Sequence, residues 1–245
     1  MSVFYQSLIT SVIIAMLSLI GVITFFLKDR ILKKILLFFV SFSAGALLGG
    51  AFFHLLPESL EEFGNPITIF TYTIIGFSMF FVLERILRWH HCHDVDCDTH
   101  GHLGYLNLFG DGVHNLIDGM IIFSSFSVST PLGIAVAISI VLHEIPQEIG
   151  DFGVLLYAGF SKRKALLYNL ITASTVIVGV ILGSLLLSRV EGLNNFLLPF
   201  AAGGFIYISA SVLIPEIHKE RSLKKSVISF LIFVIAIIFM LILAR

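Results

Sequence analysis

Charged residues and cysteines are both scarce in this sequence. Asp, Glu, Lys and Arg together make up only 13% of the 245 residues, about half of their share in a typical soluble domain. The formal net charge of −1 argues against nucleic acid as a partner, because nucleic-acid-binding domains are strongly basic. The two cysteines, Cys92 and Cys97, cannot build the disulfide framework of a small secreted domain. The first charged residue is Lys28, so the basic segment that opens a cleavable signal peptide is missing, and we expect the first apolar run to remain as a membrane span.

Apolar residues dominate the chain instead. They form 57% of it, and the mean hydropathy is +1.00. A helix of roughly 20 apolar residues crosses the hydrocarbon core of a bilayer, and almost the whole sequence divides into runs of that length, without the short alternating segments of a β-barrel. We therefore predict an all-α polytopic membrane protein that forms a single domain over residues 1–245. The eight predicted spans lie near residues 5–27, 33–56, 67–88, 104–127, 131–157, 162–188, 193–214 and 223–244.

Lysine and arginine are distributed unevenly between the two ends of these spans. One side of the membrane receives 13 of them, and the other side receives only two, Arg189 and Arg245. Because cytoplasmic loops are enriched in Lys and Arg, we assign the first side to the cytoplasm and expect both termini outside. An even number of spans also requires the two termini to share a side, so the charge distribution and the span count agree. The long loop 89–103 is then cytosolic.

Two segments of the sequence resemble each other at an offset of 158 residues. Residues 44–58 read AGALLGGAFFHLLPE and residues 202–216 read AGGFIYISASVLIPE, with matching Ala-Gly starts and Pro-Glu ends. The first segment runs outward in span 2 and the second runs inward in span 7, which is typical of inverted repeats. The alternative is a chance likeness between two helices rich in small residues. If the repeat is real, spans 1–3 and 6–8 are its two copies, and spans 4 and 5 lie between them.

Spans 4 and 5 each carry a polar cluster inside an apolar run. Residues 109–123 read FGDGVHNLIDGMIIF, and residues 141–153 read VLHEIPQEIGDFG. Positions three and four apart share one face of a helix, so each span presents a polar stripe, and Asp111 continues the stripe of span 4 one turn earlier. Ionisable residues within a bilayer are costly and functional by default, so we expect the two stripes to be buried against each other. The candidate metal ligands in them are His114, Asn115, Asp118, His143, Glu144, Gln147, Glu148 and Asp151.

The imidazole, carboxylate and amide groups of these stripes favour a first-row divalent ion. Zinc readily takes His and carboxylate ligands, and Fe(II) and Mn(II) accept similar ones. The stripes hold more potential ligands than one tetrahedral ion needs, so either two ions lie side by side or one site is loose and exchangeable. No thiolate lies in a span, which argues against a copper(I) carrier. We expect a metal site in the middle of a membrane transporter, with the metal as substrate and no organic cofactor.

An intramembrane metal hydrolase is the alternative reading of the same residues. In the HExxH motif two His four residues apart bind zinc and the Glu acts as the base. His143 and Glu144 begin such a motif, but Gln147 takes the place of the second His, and Pro146 disturbs the turn that would align the pair. A metal-sensing or structural membrane protein that uses the cytosolic loop would leave the two stripes unexplained. We therefore expect a transporter and not an enzyme.

Further His, Cys and acidic residues lie outside the two stripes. Their positions at the outer end of span 2 and the inner end of span 7 indicate a cation-collecting entrance and an exit, although solvated or capped helix ends explain them equally well. These residues are His54, Glu58, Glu216 and His218. The cytosolic loop has the ligand density of a labile metal-chelating tract without the spacing of a zinc finger, and the alternative is a polar linker. Its expected ligands are His90, His91, Cys92, His93, Cys97, His100 and His102.

At these motifs the chain resembles the ZIP family of metal transporters, and more closely its histidine-rich branch. That branch is marked by HNxxDG in the fourth span and by HEIPHEIGD or a near variant in the fifth. The resemblance covers essentially the full length, including HLLPE in span 2 and the His-bearing loop. Gln147 stands where the family usually has His or Glu. The matching residues are His114, Asn115, Asp118 and Gly119 in the first motif and His143, Glu144, Pro146, Glu148, Gly150 and Asp151 in the second.

The resemblance implies eight helices in a 3+2+3 arrangement, with a site between spans 4 and 5 that has room for two ions. It implies uptake of Zn2+ into the cytosol across the plasma (inner) membrane, with Fe2+, Mn2+, Co2+ and Cd2+ as further candidate substrates. It also implies a homodimer in which one helix bundle slides against another. Carried over residue by residue, the ligands of the primary ion are His114, Asp118, His143 and Gln147. The second position is lined by Asn115, Asp118, Glu144 and Gln147.

Overall fold

The computed structural model describes residues 2–25, 29–89, 100–187, 189–190 and 192–244. In these ranges nearly every residue is helical and no residue is in a strand. The first half contains α1 (Val3–Leu17), α2 (Asp29–Gly50), α3 (Leu56–Phe63), α4 (Pro66–Trp89) and α5 (His100–Val128). The second half contains α6 (Thr130–Tyr157), α7 (Lys162–Ala173), α8 (Thr175–Leu187), α9 (Leu193–Tyr207), α10 (Ile214–His218) and α11 (Leu223–Leu243).

Several of these helices join into longer rods. A 3-10 segment, Ser18–Phe25, extends α1, and a π turn, Ala51–Leu55, joins α2 to α3. A second π turn, Ile208–Leu213, joins α9 to α10, while α7 and α8 are separated only by Ser174. The result is eight rods in chain order, each close to one predicted span.

Seven of the eight rods are long and apolar enough to cross a membrane, as judged over the described residues. The remaining rod is α5, whose 29 residues exceed the length that a bilayer requires. It carries His114, Asn115 and Asp118 near its middle, and these lower its apolar content. The prediction of an all-α polytopic membrane protein is confirmed, and the exceptional rod carries one of the two polar stripes.

The two repeat segments share an unusual backbone feature. The π turns at Ala51–Leu55 and Ile208–Leu213 end at positions 158 residues apart, and each ends two residues before the Pro of a Pro-Glu pair. Proline has no N–H to close the helical bond of the preceding turn, and a π turn is one way in which a helix absorbs this loss. In the two copies of the repeat, α2 corresponds to α9 and α4 corresponds to α11. The packing follows this correspondence, because α2 packs against α11 and α9 packs against α4.

Glycines allow the helices next to the polar stripes to approach closely. Gly119 of α5 and Gly179 of α8 face each other, and a Cβ added at Gly179 would overlap the carbonyl oxygen of Leu116. A Cβ added at Gly119 would overlap the carbonyl oxygen of Val176 in the same way. Small residues at such crossings let two backbones pack together inside a membrane. This contact holds α5, and therefore its polar stripe, against the bundle.

We expect Gly179→Ala to destabilise the protein and Gly150→Ala to leave its stability unchanged or slightly higher. The added methyl at position 179 must push α5 and α8 apart, and overpacking of this kind costs about 1–3 kcal/mol. Nothing lies within 4 Å of a Cβ added at Gly150, so that variant only gains the better helix propensity of alanine. Thermal unfolding of both purified variants in detergent tests the difference. Equal melting temperatures for the two variants would contradict the packing described for α5 and α8.

Candidate metal site

Four potential metal ligands from two neighbouring helices meet in the interior of the bundle. His114 and Asp118 come from α5, and His143 and Glu144 come from α6, which packs directly against α5. One ligand atom of each residue lies within 4.8 Å of those of the other three. Their exposed fractions are only 6%, 1%, 1% and 1%, in the same order. We call this set the four-ligand group.

The spacing inside the four-ligand group matches tetrahedral coordination. The two Nε2 atoms of His114 and His143 are 3.1 Å apart. Asp118 Oδ2 lies 3.7 Å from the Nε2 atom of His114 and 3.3 Å from that of His143. Glu144 Oε1 lies 3.5 and 3.4 Å from the same two nitrogens. Ligands bound at about 2.0–2.1 Å at the corners of a tetrahedron are about 3.3 Å apart, so a zinc ion fits between these atoms.

Neighbouring groups orient the two imidazoles toward the centre. Nδ1 of His143 lies 3.1 Å from the carbonyl oxygen of Ser139, one helical turn earlier. With the proton on Nδ1 donated to that carbonyl, the lone pair of Nε2 points into the group, which is the usual arrangement for a metal-bound His. The rings of Phe80 and Phe205 stand edge-on to the rings of His114 and His143, at centroid distances of 5.6 and 6.0 Å. These aromatic rings form an apolar wall that limits access of water.

Three carboxylate oxygens of the four-ligand group are buried without a hydrogen-bond partner. They are both oxygens of Asp118 and Oε1 of Glu144. A buried carboxylate that lacks donors is strongly unfavourable unless a cation compensates it. These oxygens are therefore available as ligands, and their geometry with the imidazoles would fit a divalent ion.

A second cluster lies next to the first and contains only carboxylates. Asp111, Glu144 and Glu148 can bring one oxygen each within 4.8 Å of one another, and all three are buried. The sequence predicts Glu148 as a ligand, whereas it gives Asp111 only as a continuation of the stripe. Asn169 of α7 donates to Glu148 Oε2, and no pattern in the sequence singled it out. We call Asp111, Glu144 and Glu148 the oxygen group.

The other predicted ligands take supporting positions. Asn115 donates to Asp111 Oδ1 at 2.9 Å, and Gln147 donates to the same oxygen at 3.1 Å. The side chain of Gln147 is therefore engaged with Asp111, although the family resemblance assigns it to the primary ion. The other member of the stripe, Asp151, accepts a hydrogen bond of 3.0 Å from Asn107 and belongs to neither group.

The residues predicted at the entrance and exit lie apart from both groups. His54 is buried in the first π turn, where its Nε2 atom lies 2.9 Å from the carbonyl oxygen of Met240. Glu58 follows it in α3 and is partly exposed. Glu216 is exposed and pairs with Lys219 at 2.5 Å. His218 is exposed and borders an open groove of 430 Å3 that Glu220 also lines.

The ligands predicted in the loop 89–103 lie at or beyond the edge of the described residues. His90, His91, Cys92, His93 and Cys97 lie outside the described residues. His100 and His102 belong to the first turn of α5. The loop therefore stays a prediction.

Pro146 lies inside α6 without interrupting it. The sequence predicts that this proline frees the carbonyl of residue 142. In the structure the carbonyl oxygen of Leu142 accepts a hydrogen bond from the hydroxyl of Ser43 in α2. The freed backbone acceptor thus becomes a polar link between α2 and α6, at the residue that directly precedes His143 of the four-ligand group.

The sequence is similar to known membrane transporters over most of its length. The family described as ZIP Zinc transporter matches residues 4–100 and 88–244. Zinc transporter zipt-7.1 of Caenorhabditis briggsae is 32% identical, over 83% of this chain and 68% of its own length. Zinc transporter YKE4 of Saccharomyces cerevisiae is 32% identical over 76% of this chain and 64% of its own length. Zinc transporter ZIP13 of Pongo abelii is 31% identical over 82% of this chain.

The chain spans about two thirds of the length of the first two relatives. All of these relatives are named as zinc transporters and none as an enzyme, so the hydrolase alternative gains no support. The family match extends over nearly the whole sequence, including both polar stripes. The chain is an integral membrane protein that belongs to the ZIP zinc transporter family.

Proposed function

We propose that this protein carries divalent metal ions, with Zn2+ as the main substrate, across a membrane through the four-ligand group. One observation carries the proposal: two membrane helices bury four ligand atoms at tetrahedral spacing, and three of the carboxylate oxygens have no other partner. Two imidazoles and two carboxylates give a neutral complex with a divalent ion. The complex can therefore lie in a low-dielectric interior at little electrostatic cost.

The donor set favours zinc over the other candidate ions. Tetrahedral sites of His and carboxylate ligands are typical of zinc, whereas Mn2+ prefers more oxygen ligands in octahedral geometry. Fe2+ and Co2+ share the preference for imidazole and are expected as weaker substrates. Cd2+ is a further candidate substrate on the basis of the family resemblance alone.

The distribution of Lys and Arg supports uptake into the cytosol. The cytoplasmic side carries 13 of the 15 basic residues if the eight rods all cross the membrane, and both termini then lie outside. In this orientation α5 begins and α6 ends near the cytoplasm. We place the chain as one transport domain in the plasma (inner) membrane, as a homodimer, in line with the family resemblance.

Zinc flux into proteoliposomes tests the proposed function. The purified full chain is reconstituted with a zinc-sensitive dye inside, and zinc is added outside. We expect dye response well above that of protein-free vesicles, competition by Fe2+ and Co2+, and weak competition by Mg2+. Vesicles whose response equals that of the protein-free control, with folded protein present, would refute transport.

A further inference from the structure

The open groove of 430 Å3 beside His218 lies between α10 and α11, and we call it the α10–α11 groove. One face of each helix forms it, because the lining residues are three and four apart along both helices. Phe233 lies seven residues beyond Ser226, so the groove extends about 10 Å along α11. In the proposed orientation it leads from the cytoplasmic membrane surface into the bilayer. The helical lining residues are Ile214, Ile217 and His218 of α10 and Ser226, Ser229, Phe230 and Phe233 of α11.

The wall of the α10–α11 groove contains a hydroxyl group without a partner. Ser229 is only 1% exposed, and its Oγ atom is buried without a hydrogen bond. The hydroxyl of Ser226, by contrast, donates to backbone carbonyl oxygens. Buried polar groups are nearly always hydrogen-bonded, so the Ser229 hydroxyl is available to an acceptor in the groove. A fitting ligand has a long apolar part, for the aliphatic and aromatic lining, and an acceptor at the depth of Ser229.

The cytoplasmic mouth of the groove is rich in positive charge. Residues 219–225 contain four basic residues and one acidic residue. Two of the four basic residues, Arg221 and Lys224, are exposed and form no salt bridge within the described part of the chain. These two cations are therefore available to an anionic group. The paired residues are Lys219 with Glu216 at 2.5 Å and Lys225 with Glu220 at 2.8 Å.

The start of α11 adds to this positive charge. Its N-cap residue, Ser222, lies between the two free cations and makes no side-chain capping bond. The first N–H groups of a helix and its partial positive charge attract phosphate when no side chain caps them. His218 also lines the groove and is exposed, so its ring can donate a further hydrogen bond. Phosphate is thus favoured at the mouth and apolar chains are favoured below it.

We propose that the α10–α11 groove binds an anionic phospholipid, with the phosphate beside Arg221 and an acyl chain along Phe230. Basic clusters at the cytoplasmic ends of membrane helices are typical sites for anionic headgroups. Ser229 lies five residues below Lys224, about 7.5 Å along the helix, and the headgroup region of each leaflet is about 5–7.5 Å thick. The Ser229 hydroxyl therefore reaches the depth of the lipid ester groups, which accept hydrogen bonds. This site is independent of the proposed metal transport.

Native mass spectrometry of the purified full chain tests the lipid site. Phosphatidylglycerol and phosphatidylcholine with identical acyl chains are titrated into delipidated protein. We expect one phosphatidylglycerol per chain, bound about thirtyfold more tightly than phosphatidylcholine, since each basic residue near an anionic lipid contributes about fivefold. The double variant Arg221→Gln/Lys224→Gln should lose this preference.

The matched control is Arg163→Gln/Lys164→Gln, which removes two exposed cations from the first turn of α7, outside the groove. This control should keep the preference for phosphatidylglycerol. Equal loss of the preference in both double variants would show attraction by general surface charge and would overturn the site. Melting temperatures measured without lipid should match the wild type, which separates lost lipid binding from lost folding.

Ser229→Ala tests the groove without changing its charge. Loss of the hydroxyl should weaken both lipids by about threefold to tenfold, the usual contribution of one hydrogen bond, and should leave the preference between them unchanged. Inorganic phosphate should not displace phosphatidylglycerol, because it has no acyl chain to fill the groove. Displacement by inorganic phosphate, or unchanged lipid affinity in Ser229→Ala, would overturn the assignment of a phospholipid to the groove.

Discussion

Replacing His143 with alanine is expected to abolish tight zinc binding and zinc flux. His143 supplies one of the four ligand atoms, and its Nε2 lies within 3.4 Å of the ligand atoms of His114, Asp118 and Glu144. Loss of a group that only supports a ligand typically costs 10–100-fold in metal affinity. Loss of the ligand itself should therefore cost at least about a hundredfold, or about 2.7 kcal/mol at 25 °C.

Zinc affinity and zinc flux of His143→Ala are measured on the same preparation. The matched control is His54→Ala, which removes a buried histidine that lies outside the four-ligand group. That side chain contacts the carbonyl oxygen of Met240 rather than the four-ligand group, so zinc affinity should stay within a few-fold of the wild type. If His143→Ala binds zinc as tightly as the wild type while His54→Ala loses it, the metal site has been assigned to the wrong histidine.

Linking α2 covalently to α6 is expected to stop transport while leaving metal binding intact. The two helices meet along small residues, where Ser139 lies against Gly50 and Ala46. A Cβ built at Gly50 lies 3.5 Å from the Cβ of Ser139, which is within the range that a disulfide requires. The double variant Gly50→Cys/Ser139→Cys should therefore cross-link on mild oxidation. Since α6 carries two ligands of the site, the cross-link holds the site fixed against α2.

The experiment uses a background in which Cys92 and Cys97 are replaced by serine. Oxidation should suppress flux at least tenfold, reduction should restore it, and zinc stoichiometry should be the same in both states. Each single-cysteine variant serves as the control, and oxidation should leave its flux unchanged. Undiminished flux through fully cross-linked protein would show that ions pass without movement of α6 along α2, as through a channel.

The position of the four-ligand group in the bundle follows from the sequence, but the choice of its four residues does not. The spacing of His114 and Asp118 predicts that they share one face of α5, and the structure places their ligand atoms 3.7 Å apart. The cost of burying polar groups in a bilayer predicts that the stripes of α5 and α6 meet. Both arguments need only the spacing of residues along a helix and the general cost of placing polar groups in lipid.

The same arguments do not predict that Glu144, rather than Gln147, joins His143 in the four-ligand group. Helix periodicity groups His143 with Gln147, because adjacent residues point about 100° apart. In the structure α5 packs along the boundary between two faces of α6, so that His143 and Glu144 both reach the four-ligand group. Asn169 likewise contacts Glu148 only because α7 packs against α6. Such contacts depend on the relative rotation of the helices, which the spacing of residues within one helix does not specify.

Complete enclosure of an ion by protein atoms has a kinetic consequence. A zinc ion bound by the two imidazoles and two carboxylates of the four-ligand group would give up its whole hydration shell, with the rings of Phe80 and Phe205 packed against the two imidazoles. At a given capture rate, each tenfold gain in affinity lengthens the residence time of the ion tenfold. The transport rate cannot exceed the rate at which the ion leaves the four-ligand group. For the ion to leave, at least one protein ligand must detach in each transport cycle. The dwell time of the trapped ion, more than its arrival from outside, then limits how fast such a carrier can work.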